Sequence, residues 1–169
     1  QIRAEESAQA EAALTAFSDR IYNDPANVIL GNPDGDVTLV EMFDYNCGYC
    51  RSAVEDMGRL IAEDPNLKII LKEFPILSKE SVDAARVAVL VNELDGDYWA
   101  FHKALFGGRG QVNEDAALAA AADLGLDTDA IKARMGDGAV TDIIQRSYEI
   151  AQALNVSGTP TYIIGNDVI

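Results

Sequence analysis

The segment Phe43-Asp44-Tyr45-Asn46-Cys47-Gly48-Tyr49-Cys50 contains the only two cysteines of the chain, with two residues between them. The apolar run Val37 to Phe43 precedes the cysteines and has the composition of a strand buried on both faces of a sheet. From Cys50 to Ile61, apolar side chains repeat at helical spacing, which predicts a helix that begins at or just after Cys47. We therefore expect the cysteine pair where a buried strand passes into a helix.

This position has chemical consequences for the first thiol. At the start of a helix, a side chain faces backbone N–H groups without partners and the positive end of the helix dipole, and both favour a thiolate. The sequence therefore predicts Cys47 as a nucleophile. Cys50, about one turn deeper, is predicted to attack a mixed disulfide formed at Cys47. The alternatives are two inert core cysteines, or half of a metal site, for which one histidine and two cysteines leave too few ligands.

The surrounding pattern predicts an α/β protein. A strand from Leu67 to Phe74 follows the helix, and a strand, a helix and a strand of this length form a parallel unit with a right-handed crossover. Almost all residues from Ser78 to Asn155 are predicted to be helical, with glycine-rich connections, before a last strand from Thr161 to Ile164. The N-terminal helix, Ala4 to Tyr22, is expected to lie on its own domain, with an interaction arm as the alternative.

Charge and hydropathy argue against two classes of partner. The 169 residues include 13 Lys and Arg against 28 Asp and Glu, a formal net charge of −15. This is the wrong sign for binding a phosphate backbone, so no nucleic acid partner is expected. No window approaches the roughly 18 uninterrupted apolar residues of a membrane helix, so no membrane insertion is expected. The chain begins at Gln1 rather than Met, and we expect that an upstream segment such as a signal peptide has been removed.

Glu41 is the one charge in the buried strand before the cysteines. Strand alternation directs its side chain under the start of the predicted helix. An apolar setting predicts a raised pKa for this carboxyl group and a proton exchange with Cys50 through water. The alternative is an ion pair with Lys72 on the neighbouring strand.

The Thr159-Pro160 dipeptide and His102 are two further candidate positions. A cis bond at Thr159-Pro160 would leave the Thr159 backbone free to pair with an extended peptide beside Cys47. The dipeptide alone favours an ordinary trans turn, and the cysteine motif shifts the expectation to the cis bond. The only histidine, His102, is expected at a partly exposed helix position. The aromatic residues around it are expected to form a helical core rather than a substrate groove: Tyr98, Trp99, Phe101 and Phe106.

Together these features resemble the DsbA-type thiol:disulfide oxidoreductases of the bacterial envelope. The resemblance rests on Phe43 to Cys50, on Lys72-Glu73-Phe74-Pro75, on the long helical stretch and on Gly158-Thr159-Pro160, and it covers about Val28 to Ile164. It implies a thioredoxin-like fold with an inserted helical subdomain. The implied divisions are an N-terminal helix over 1–25, a thioredoxin-like domain in two parts over 26–77 and 139–169, and inserted helices over 78–138. The strand antiparallel to residues 161–164 and the final helix of such a fold are expected to be missing.

The resemblance also implies roles and partners. It assigns the nucleophile, the resolving thiol and the buried acid to Cys47, Cys50 and Glu41. It places a cis-proline at Pro160 and substrate contacts at Thr159, Pro160 and Tyr49. The implied substrates are cysteine-containing unfolded or partly folded proteins, with a redox partner protein and no metal or organic cofactor. The implied location is the periplasm or another exported compartment.

The dipeptide between the cysteines departs from the DsbA pattern. Gly48-Tyr49 replaces Pro-His, and with Thr159 before the proline it looks more like DsbC-type isomerases. Without an imidazole beside Cys47 the thiolate lacks one cationic stabiliser, which predicts a less oxidising pair than that of DsbA. The segment before the first strand is too short for a DsbC-type dimerisation domain. Oxidase, isomerase and reductase activities therefore remain open, and a non-catalytic peptide-binding module or chaperone is the rival of another class.

Overall fold

Five strands form one mixed sheet, and the strand that precedes the cysteines lies at its centre. The computed structural model describes residues 1–169. The strands are β1 Val28–Gly31, β2 Val37–Phe43, β3 Leu67–Glu73, β4 Thr161–Ile164 and β5 Asp167–Val168. They are ordered β1-β3-β2-β4-β5. The β2–β3 pair is parallel and the other three pairs are antiparallel.

Seven helices pack around this sheet. They are α1 Ile2–Tyr22, α2 Gly48–Glu63, α3 Lys79–Glu93, α4 Tyr98–Gly107, α5 Glu114–Asp123, α6 Thr128–Arg134 and α7 Gly138–Ala153. The crossover between the parallel strands β2 and β3 is made by α2, and the helices from α3 to α6 lie between β3 and α7. This is the predicted thioredoxin-like α/β fold with a helical insertion. None of the helices combines the length and the apolar character needed to cross a membrane.

The sheet separates two apolar cores, which explains why β2 is almost entirely apolar. Phe43 faces a core of 30 buried residues shared with α2 and the inserted helices. Val40 and Met42 face a second core of 10 buried residues, to which α1 contributes Leu14 and Ile21. The helix α1 therefore lies on its own domain, as expected.

One expectation about the C-terminal region is wrong. A strand antiparallel to β4 is present, because β5 pairs with Ile163 and Ile164. Beyond it, Tyr162 and Ile169 exchange both backbone hydrogen bonds at 2.8 Å. The turn between the strands includes Gly165 at φ +57°, a conformation that glycine adopts without steric cost.

Replacing Ile21 by Ala tests how α1 packs on the sheet. Ile21 is fully buried, whereas Ile2 at the start of the same helix is 72% exposed. We expect Ile21→Ala to lower the free energy of unfolding by about 2–5 kcal/mol, because it leaves a cavity in the second core. The matched variant Ile2→Ala should change it by about 0.5 kcal/mol at most. Urea unfolding measures both values, and equal effects would contradict the docking of α1.

Candidate active site

The two cysteines lie at the N-terminus of α2. Cys47 is the N-cap residue, and its Sγ accepts a hydrogen bond of 3.1 Å from the backbone N–H of Cys50. This N–H is one of the amides that a helix start leaves without an intrahelical partner. Cys47 keeps 6% of its surface exposed, whereas Cys50 is fully buried. Both thiols are free. The first sulfur is therefore held by an amide near the surface, with the second thiol behind it.

The Cys50 thiol resists ionisation. Burial raises its pKa well above the ordinary value, and the hydrogen bond and charge of Cys47 and the charge of Glu41 raise it further. Cys50 is thus a neutral thiol at neutral pH. To attack a neighbouring disulfide it needs a group that accepts its proton, because the thiolate is the nucleophile.

Glu41 is a buried carboxyl group on the α2 side of β2. It is 1% exposed, and neither of its oxygens has a hydrogen-bond partner. Burial raises its pKa to about 7, and the Tyr162 hydroxyl moderates this rise from across the β2–β4 pair, outside hydrogen-bond geometry. The raised pKa expected from the sequence is thus present. A carboxyl group that exchanges its proton near neutral pH beside a buried thiol has the properties of an acid–base group.

The alternative expectation, an ion pair between Glu41 and Lys72, is wrong. Lys72 pairs with Met42 in the β2–β3 register, so its side chain leaves the opposite face of the sheet from Glu41. Its Nζ donates to Asn27 Oδ1 at 2.6 Å and to the carbonyl oxygen of Arg20 at 3.2 Å. Strand alternation therefore separates the two charges.

The Thr159–Pro160 loop lies beside the end of β2. Its peptide bond is cis, as expected. The next residue, Thr161, pairs with Met42, so the loop adjoins the chain that leads from β2 to Cys47. Thr159 is only half-buried, and its backbone N–H and C=O make no hydrogen bond within the protein. Both backbone groups of Thr159 are therefore without a partner in the protein, beside the end of the strand that leads to Cys47.

The structure thus gathers most of the predicted site residues at one end of the central strands. Tyr49 differs from the others, since 80% of its surface is exposed on the first turn of α2. No three His, Cys, Asp or Glu side chains come together as a metal site would require.

Asp44 holds the turn before the cysteines, although the sequence interpretation did not single it out. Its buried carboxylate accepts hydrogen bonds of 2.7–2.9 Å from four donors. These are the backbone N–H groups of Asn46, Ile76 and Leu77 and the hydroxyl of Ser81. A sequence signal exists, since an Asp at the end of a strand often caps nearby backbone amides.

Asn46 ties the same turn to the helical insertion. Its Oδ1 accepts from the backbone N–H of Val112 at 2.7 Å, and its Nδ2 donates to the carbonyl oxygen of Val112 at 2.9 Å. Nδ2 also lies 2.9 Å from the Ser81 hydroxyl. The residue immediately before Cys47 is therefore fixed from two sides.

The expectation of a partly exposed His102 is wrong, because this side chain is fully buried. Its Nδ1 lies 3.1 Å from the Tyr45 hydroxyl, and its ring meets Phe43 edge-on at 4.8 Å. Burial lowers the pKa of His102 to about 3, so the ring is neutral at physiological pH. Three of the four aromatic residues expected in a helical core are buried around it: Tyr98, Phe101 and Phe106.

Comparison with known proteins agrees with this architecture. The family model of the DSBA-like thioredoxin domain matches residues 38–169. The chain belongs to this family. A solved thioredoxin-like oxidoreductase from Silicibacter pomeroyi DSS-3 shares 42% identity with a TM-score of 0.84, over 89% of this chain and 87% of that one. The thiol-disulfide exchange protein alpha-DsbA2 from Wolbachia pipientis shares 29% identity with a TM-score of 0.85, over 96% and 88%.

A curated relative is much longer than this chain. The Na(+)/H(+) antiporter NhaA 1 of Salinispora arenicola (strain CNS-205) is 27% identical over 139 residues, which are 80% of this chain and 21% of that protein. The chain thus spans about a fifth of the length of the first curated relatives that it matches. The predicted resemblance to the DsbA type is confirmed at the level of the family and of the fold.

The pH dependence of stability tests the environment of Glu41. Its pKa is about 7 in the folded protein against an ordinary 4.5. The folded protein therefore gains stability from protonated Glu41 below pH 4.5, and this stability is lost as the pH rises to about 7. Glu41→Gln cannot ionise. Its free energy of unfolding relative to wild type should therefore rise across this window, by about 3 kcal/mol at pH 8.

Urea unfolding at several pH values between 4 and 8 measures this difference. The exposed Glu55 of α2 provides the matched control, Glu55→Gln, for loss of a carboxylate without loss of a buried one. A Glu41→Gln difference that does not change with pH would contradict the raised pKa.

Proposed function

We propose that this domain forms or exchanges disulfide bonds in substrate proteins, with Cys47 as the nucleophile and Cys50 as the resolving thiol. The asymmetry of the pair carries this proposal. One sulfur is held by a helix-start amide near the surface, and the other is a buried thiol one turn along the same helix. Two inert core cysteines would have no need of the acid–base group beneath them.

The proposed oxidising half-reaction moves two electrons from the substrate to the cysteine pair. A substrate thiolate attacks the Cys47 sulfur of the oxidised pair, the S–S bond breaks and Cys50 leaves as a thiolate. A second substrate thiolate then attacks the substrate sulfur of the mixed disulfide and releases Cys47. Two substrate thiols have become one disulfide and the pair is a dithiol, which a redox partner protein must reoxidise. Run in reverse, the same steps reduce a substrate disulfide.

Glu41 supplies the proton that the buried thiol needs. Because burial raises the pKa of Cys50, its thiolate is a strong base when it leaves the disulfide. Glu41, with a pKa of about 7, is partly protonated at neutral pH and donates through an intervening water. In the reverse direction the carboxylate accepts the proton as Cys50 attacks the mixed disulfide.

Substrate recognition is proposed at the Thr159–Pro160 loop and at Tyr49. The free backbone N–H and C=O of Thr159 suit pairing with an extended segment of an unfolded or partly folded protein. The exposed ring of Tyr49 offers apolar contact beside the nucleophile. Since the Gly48-Tyr49 pair supplies no cation, the thiolate depends on the Cys50 amide, which favours a pair less oxidising than that of DsbA. An oxidising, exported compartment suits this chemistry.

Trapping the mixed disulfide tests the function. The reduced Cys50→Ala variant is incubated with a short peptide whose single cysteine carries glutathione. We expect Cys47 to attack the peptide disulfide, release glutathione and accumulate a peptide adduct, because no resolving thiol remains. In wild type, Cys50 resolves the adduct, so the peptide is released as a thiol and the protein becomes oxidised.

Mass spectrometry of the intact protein identifies each product. The matched variant Cys47→Ala should form less than about a tenth of the adduct, because its remaining thiol is buried. Peptide binding without any covalent adduct in Cys50→Ala would favour the non-catalytic peptide-binding module instead.

A further inference from the structure

A chain of hydrogen-bonded, buried side chains joins the helical insertion to the turn before the cysteines. The Tyr45 hydroxyl lies 2.9 Å from the Tyr98 hydroxyl and 3.1 Å from Nδ1 of His102. The Tyr98 hydroxyl donates in turn to Oε1 of Glu73 at the end of β3. All four residues are buried, and none takes part in the thiol chemistry described above.

Counting hydrogens gives this chain a single direction. Each hydroxyl has one hydrogen. Because Tyr98 donates to Glu73, its oxygen accepts the hydrogen of Tyr45, whose oxygen accepts the Nδ1–H of His102. The Nε2 atom of His102, which is buried without a partner, is then a bare lone pair rather than an unpaired donor. Each bond in the chain therefore depends on the next one.

Burial disfavours a charge at either end of the chain. Burial raises the pKa of Glu73 well above the ordinary value, whereas the hydrogen bond from Tyr98 lowers this pKa. The ring of His102 is neutral, because burial lowers its pKa to about 3. Burying a polar group without a partner is costly, and these groups are hydrogen-bonded to one another in the core between the sheet and α4.

Tyr45 brings the chain to the redox pair. It lies inside the turn that the hydrogen bond from Cys47 N to Asp44 O closes at 3.0 Å. Its ring packs against Phe43 and Phe106 with centroid distances of 5.0 and 5.1 Å. Ring packing confines the plane of Tyr45, whereas the bonds to its hydroxyl set how deeply the ring lies. A shift of the ring would move the turn and with it the Cys47 sulfur.

We propose that Tyr98 and Glu73 are positioning residues for thiol exchange: through Tyr45 they hold the turn at the geometry in which the Cys50 amide contacts the Cys47 sulfur. The inference rests on the proposed function of the pair. It also gives the helical insertion a role, because α4 supplies Tyr98 and thereby adjusts the balance between dithiol and disulfide.

The equilibrium of the pair with reduced and oxidised glutathione tests the proposal. Tyr98→Phe keeps the ring and removes only the hydroxyl, so the amide contact to Cys47 weakens and the dithiol form is less favoured. We expect the equilibrium constant for oxidation of the pair to rise at least about threefold. Glu73→Leu should give the same shift, since it removes the acceptor of the Tyr98 hydroxyl. Glu73→Gln retains an acceptor oxygen and should stay within about twofold of wild type.

A matched control separates positioning from general loss of stability. Tyr148→Phe also removes a tyrosine hydroxyl bond, the one of 2.6 Å to the carbonyl oxygen of Pro75, but it lies outside the chain. It should lower stability without changing the equilibrium constant. The proposal is overturned if Tyr98→Phe and Glu73→Leu resemble Tyr148→Phe, or if Glu73→Gln shifts the constant as far as Glu73→Leu.

The outcome is independent of the trapping experiment. The glutathione equilibrium is a property of the two cysteines and needs no protein substrate. If Cys50→Ala fails to trap the peptide while Tyr98→Phe shifts the equilibrium, the proposed function fails and the positioning role stands. If trapping succeeds while the equilibrium does not shift, only the positioning role fails.

Discussion

The hydrogen bond from the Cys50 amide to the Cys47 sulfur is the contact on which the proposed thiol chemistry depends. It exists because β2 ends four residues before Cys47 and the chain turns directly into a helix, whose first amides have no partner of their own. Asp44, Tyr45 and Asn46 are each hydrogen-bonded to residues distant in the sequence, so three consecutive side chains fix the backbone that leads to Cys47.

Two ionisable groups with raised pKa values, Glu41 and Cys50, are buried beneath this contact. The chain carries a formal charge of −15. The carboxyl group of Glu41, in contrast, is buried among apolar residues, has a pKa of about 7 and has no hydrogen-bond partner. An unpaired buried carboxyl group lowers stability, and such groups are concentrated at functional sites. Its position beside a thiol of raised pKa fits the proton transfer that we propose for it.

Local patterns in the sequence predict the parts of the structure that depend on local spacing. The passage from β2 into α2, the parallel β2–β3 unit and the place of Glu41 all follow from periodicities within a few residues. The expected ion pair between Glu41 and Lys72 is wrong, because one position of register moves a side chain to the other face of the sheet. The burial of His102 and its bond to Tyr45, 57 residues earlier, depend on how the insertion packs, which no local pattern encodes.

Selective alkylation of the reduced protein tests the asymmetry of the pair most directly. The protein is treated at pH 7 with less than one equivalent of iodoacetamide, and peptide mass spectrometry measures the modification at each cysteine. The account predicts that Cys47 is modified at least about tenfold more than Cys50, since the amide-held sulfur near the surface is the better nucleophile. Equal modification, or preferential modification of Cys50, would contradict it.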